Sequence, residues 1–68
     1  MTLCDMQKGE IGVMLAAPKI LGALRILPGE RIRLITADEE MALIEAQGMR
    51  LALSREAAAQ TVLARWQG

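Results

Sequence analysis

The sequence contains no histidine, phenylalanine or tyrosine, and its one aromatic residue is Trp66. Without histidine the chain lacks the usual general base at neutral pH and the commonest metal ligand. Cysteine is almost as scarce. Cys4 stands alone, which excludes an intramolecular disulfide and fits a reducing compartment. A single soft ligand does not make a zinc or iron site. Neither sign of charge predominates, since 8 Lys and Arg balance 8 Asp and Glu. A general nucleic-acid binder needs a basic excess to neutralise phosphates, and attachment to anionic lipid needs the same. One aromatic supplies neither a stacking platform for bases nor the aromatic groove that holds proline-rich peptides. No phosphate-binding glycine loop of the Walker type occurs. The most apolar stretch, Ile11 to Leu27, is broken by Pro18, Lys19 and Arg25, whereas a membrane helix needs about 20 consecutive apolar residues. The N-terminus carries Asp5 and no basic start followed by an apolar run, so no secretory signal is expected. These absences point to a protein with no bound cofactor, no nucleic-acid partner and no membrane insertion.

What the chain does have is aliphatic side chains: 53% of its 68 residues are hydrophobic. The core must be built from Leu, Ile, Val, Met and Ala, with methionine adapting to irregular gaps. The length sets a single domain, 1–68. A chain this small buries only about 60% of its unfolded surface. Some apolar surface is left over for association with a partner or, weakly, with a second copy.

Short alternating segments separated by turn residues dominate. Gly9 to Leu15 reads as a strand with Ile11, Val13 and Leu15 on one face and Gly12 allowing close backbone approach on the other. Ile20, Leu24 and Leu27, with Leu21 beside them, recur at helical spacing. Pro18 suits a first helical turn, so a short helix is expected over Pro18–Arg25. Gly22 weakens it by about 1 kcal/mol relative to Ala. Pro28-Gly29 makes a turn. Glu30 to Thr36 follows as a strand with Ile32 and Leu34 inward and Arg31 and Arg33 outward. Asp38-Glu39-Glu40 is a polar hairpin tip, Met41 to Ala46 the returning strand, and Gln47-Gly48 the next turn. Met49, Leu51 and Leu53 share the inner face of a fourth strand. Ser54 suits a helix N-cap, with Glu56 complementing the dipole of one short turn. Thr61 to Trp66 closes the chain as a strand whose inner face is ambiguous. The expected fold is mainly β, about five short strands with one or two short helices forming a small barrel or sandwich; closing the sheet into a barrel would remove exposed edges.

Two segments carry a family resemblance. Leu24-Arg25-Ile26-Leu27-Pro28-Gly29-Glu30-Arg31-Ile32 looks like the leucine-glycine-aliphatic-x-proline-glycine turn of FeoA, the SH3-like small barrel of bacterial ferrous iron transport. Gly48 to Ala58 looks like that family's glycine, apolar strand and leucine-arginine-arginine-glutamate-x-alanine ending. The opening Leu3 to Gly9, with its Lys8-Gly9 step, fits as well. Arg25 stands where the family usually has glycine, and Ser54 where it usually has arginine. The resemblance implies an SH3-like barrel that acts without catalysis. It also implies a cytoplasmic accessory of iron uptake, held at the inner face of the membrane through contact with FeoB, a transporter with a GTP-binding domain. Similar domains end the chains of metal-dependent transcription repressors, and a free-standing interaction domain of that kind is the alternative.

No catalytic or metal-binding residues are assigned. The consecutive carboxylates Asp38, Glu39 and Glu40 read as a solvated turn, lacking the spaced ligands and glycine of a calcium loop. The candidate partner-binding surface is the first helix and the turn after it: Ile20, Leu21, Leu24 and Leu27. About two of these four are expected to plug the barrel, because a helix on a small barrel buries one stripe. Arg31 and Arg33, with Arg50, would flank the patch and steer an acidic partner. Trp66 is either a core lid or an interface anchor.

Overall fold

A computed structural model describes residues 1–66. Five strands form one antiparallel sheet: β1 (Ile11–Ala16), β2 (Arg31–Ala37), β3 (Met41–Ala46), β4 (Met49–Ser54) and β5 (Val62–Arg65). Their order across the sheet is β4-β3-β2-β1-β5. Two short helices interrupt them, α1 (Lys19–Ala23) after β1 and α2 (Arg55–Gln60) after β4. This is the small SH3-like architecture that the family resemblance implies.

The alternation in β2 is one-sided and folds as the sequence predicts, and β3 sets Ala42, Ile44 and Ala46 on the same inner face. Ile32, Leu34, Ala42, Ile44 and Ala46 are buried, while Arg31 and Arg33 face water. The β3–β4 hairpin turns through Gln47 and Gly48, both with positive φ, the conformation that a tight two-residue hairpin requires. At the other hairpin the Asp38 carboxylate accepts from the backbone N–H groups of Glu40 (2.7 Å) and Met41 (2.9 Å). Those bonds hold its pKa below the usual carboxylate range. The Ser54 hydroxyl caps α2 by accepting from the Ala57 N–H at 3.1 Å. At the closing strand the ambiguity resolves with Leu63 of β5 inside together with Thr61, the C-cap of α2, whose hydroxyl donates to the Ala57 carbonyl at 2.8 Å.

Three expectations are corrected. First, the inward residues of β1 are Gly12 and Met14, not Ile11, Val13 and Leu15. Apolar residues occupy both faces of this strand, so alternation could not choose between them. The close approach at Gly12 decides. A Cβ there would lie 3.0 Å from Leu63 Cδ2 and 3.1 Å from Leu63 Cβ, so a larger residue requires β5 to give way by a few tenths of an ångström, and glycine suits the close approach of β1 and β5. Second, Met49 shares the inward side of β4 with Leu51 and Leu53, yet it is 43% exposed at the sheet edge. Third, the first helix is shorter than Pro18–Arg25, with Pro18 as N-cap and Leu24 as C-cap. A 3₁₀ turn at Leu3–Asp5, capped reciprocally by Thr2 and Asp5, was not expected; it places Leu3 in the core.

Candidate partner-binding surface

Helix α1 stops where Arg25 enters the left-handed region, at φ 63°. The Ile26 N–H then donates to the Leu21 carbonyl and the Arg25 N–H to that of Gly22, both at 2.9 Å. This pair of bonds is a Schellman ending, in which the residue after the left-handed one packs back on the helix. Ile26 and Leu21 are accordingly both buried. The Gln47 side-chain amide donates to the Arg25 carbonyl at 2.8 Å and also reaches the Glu30 carboxylate, tying the β3–β4 turn to the helix end. The Gly29 N–H donates to the Met14 carbonyl at 2.8 Å, anchoring the Pro28-Gly29 turn on β1.

The result is a fixed segment whose other apolar side chains point away from the core. Ile20 is 58% exposed, Leu24 44% and Leu27 53%. Leu15, at the end of β1 just before the segment, is 55% exposed. Leu21 leaves the candidate set: it is fully buried and forms core rather than surface. Its replacement in the core pattern is Ile26. Glycine at position 25 would have revealed that pairing, and arginine conceals it. Alternation alone puts Leu15 on the inner face of its strand, so no sequence signal marks it as surface.

Arg31 lines a hollow with Gly29, Glu30 and Gln47, beside the turn that follows α1. Arg31 and Arg33 project from the outer side of β2 into a shallow hollow of about 420 Å³, shared with Ile11 and Glu45. Arg33 is paired with Glu45 across the strands. The Arg31 guanidinium lies over the Trp66 ring, 5.1 Å from its centre, so Trp66 covers the outside of the sheet and is not a core lid. Among the described residues, no cluster of three or more His, Cys, Asp or Glu side chains could hold a metal ion, and no helix is long and apolar enough to cross a membrane.

No protein-family model matches the chain, and no curated protein matches it. Solved structures do. A crystal structure of the iron uptake regulatory protein FeoA superposes with a TM-score of 0.86 at 18% identity, covering 97% of this chain and 96% of that one. This chain has the fold of FeoA. The solution structure of FeoA from Chlorobium tepidum matches with a TM-score of 0.87 at 17% identity, over 100% of this chain and 72% of that one. A manganese-dependent transcriptional repressor matches at 0.86 and 15% identity, over 97% of this chain but only 41% of its own. The FeoA fold therefore accounts for the chain end to end, and the repressor carries it as one part of a longer protein.

Proposed function

We propose that this protein is a non-enzymatic cytoplasmic accessory of ferrous iron uptake that binds the cytoplasmic part of a FeoB-type transporter. The carrying observation is that Ile20, Leu24 and Leu27 are exposed on a rigidly terminated helix and turn, with Leu15 exposed at the end of β1 that leads into them. The FeoA fold over the full chain supports the iron-uptake context. Leucines left about half exposed on so small a body are surface that a partner can cover. Burying the rest of each is worth about 1 kcal/mol, half the value for full burial of such a side chain. Binding then modulates transport by favouring one conformation of the transporter, which requires unequal affinity for its states.

Titration calorimetry against the GTP-binding domain and the other cytoplasmic segments of the FeoB from the same genome tests this reading. Saturable binding that a folded Leu24→Asp variant loses supports it; absence of binding to every segment refutes it. A second reading follows from the match to the manganese-dependent repressor: a free-standing interaction domain that binds a transcription regulator. Binding to a repressor and to no transporter segment would select it.

A further inference from the structure

The two edges of the sheet differ. Beyond β5, the N-terminal residues complete the pairing: the Leu63 N–H donates to the Met1 carbonyl at 2.7 Å, and Thr2 bridges Val62. Beyond β4 no described strand follows. The β3–β4 ladder runs without a bulge from Ala46 opposite Met49 to Met41 opposite Ser54. Because a two-residue turn joins the strands, Ala46 and Met49 form the hydrogen-bonded pair beside it. Antiparallel pairs alternate, so Met49, Leu51 and Leu53 direct their N–H and C=O groups to β3, whereas Arg50 and Ala52 direct theirs outward. Natural edges are normally blunted by proline, a bulge or several charges; β4 has only Arg50.

The side chains around this edge are sorted by face. On the outer side, Lys8, Arg33 and Arg50 line a hollow of about 230 Å³ that no carboxylate lines. Glu45 lies opposite both Arg33 and Arg50 in the sheet, and its ion pair is with Arg33. On the inner side the edge presents Met49, exposed at 43%, and Leu51, half-buried.

We propose that the β4 edge takes an extended segment of a partner protein with alternating acidic and apolar residues, added as a sixth strand. Its main chain pairs with the outward groups of Arg50 and Ala52. Its acidic side chains enter the hollow of Lys8, Arg33 and Arg50, and its apolar ones cover Met49 and Leu51. Main-chain bonds supply affinity and the alternating side chains supply selectivity, as in other strand-addition complexes. Charge decides against a second copy as the occupant: pairing β4 with itself would gather like charges on one face, which destabilises a strand pair. This inference concerns a surface apart from α1 and does not rest on the transporter reading.

The probe is the peptide acetyl-Glu-Val-Glu-Val-Glu-Val-Glu-amide, titrated into the full chain and followed by amide hydrogen exchange. At saturation the Arg50 and Ala52 amides should exchange about tenfold more slowly or better, with Leu51, already bonded to β3, unchanged. Added salt should weaken binding, and the Lys8→Gln/Arg50→Gln double variant, which alters only exposed side chains, should lose about tenfold in affinity. Absence of binding, binding without protection at Arg50 and Ala52, or equal binding of the Lys-Val counterpart peptide would overturn the proposal. Protection that grows with protein concentration in the absence of peptide would also overturn it, showing that a second copy fills the edge.

Discussion

Replacing Arg25 by glycine should stabilise the fold while removing a long side chain. Arg25 sits at φ 63°, where a residue with a Cβ meets its own carbonyl at a cost of about 1–2 kcal/mol. Glycine avoids that cost but gives the unfolded chain more freedom, offsetting about 0.4–1 kcal/mol of the gain. Nothing else is lost. The two backbone contacts of residue 25, with Gly22 and Gln47, do not involve its side chain. Its guanidinium takes part in neither ion pair of the described residues, Arg33–Glu45 and Arg65–Glu10. The net expectation for Arg25→Gly is about 0.5–1 kcal/mol of added stability. In a domain of this size that is about 2–8 °C in Tm. Thermal and urea unfolding followed by circular dichroism would read it. Arg25→Ala is the control, because it removes the same charge and keeps the strain; it should stay within about 0.5 kcal/mol of the parent. If Arg25→Gly is no more stable than Arg25→Ala, left-handed strain at this position is not what limits the helix end.

Other changes test the remaining supports. Gly29→Val should destabilise by about 1–3 kcal/mol through strain alone, since φ is +95° and a Cβ there meets nothing within 4 Å; Gly29→Asn, which tolerates that conformation better, should lose less in the same urea titration. Gly12→Val should cost at least as much by a different route, a clash with Leu63 and the Ala64 carbonyl, and should fall among overpacking losses of about 1–3 kcal/mol or more. Ser54→Ala removes the α2 cap and should cost about 1 kcal/mol, read as an earlier urea midpoint with unchanged slope. The Asp38 pKa is lowered by the Glu40 and Met41 N–H bonds, so the ionised carboxylate is favoured in the folded state. Its contribution is fully present above the ordinary carboxylate range and is lost as pH falls through the lowered folded value. Asp38→Asn should therefore flatten the acid limb of the stability profile.

Legibility in the sequence followed how one-sided each segment is. β2 was readable because Arg31 and Arg33 alternate with Ile32 and Leu34, and a shift by one would bury charge. The turns at Pro28-Gly29 and Gln47-Gly48 declared themselves by residue type, and Ser54 by its capping hydroxyl. β1 was not readable, because Ile11, Val13, Met14 and Leu15 offer apolar groups to both faces and the choice depends on Leu63, distant in sequence. The spacing of Ile20, Leu24 and Leu27 mimics a buried helical stripe. The helix ends before Leu27, however, and Leu21 with Ile26 takes the core instead. The apolar stripe is therefore mostly surface, and Arg31, at the start of β2, lines a hollow beside the turn that follows α1. Thr2 followed three residues later by Asp5 is a sequence signal for the Leu3–Asp5 turn.

The proposal that a transporter partner binds at Leu15, Ile20, Leu24 and Leu27 can be checked by chemical-shift mapping of the isotope-labelled chain, titrated with the cytoplasmic part of its FeoB. The largest shifts should fall on these four residues and their neighbours in α1, and Leu24→Asp should remove them while the rest of the spectrum stays folded. Shifts confined to other surfaces, or unchanged by Leu24→Asp, would contradict it.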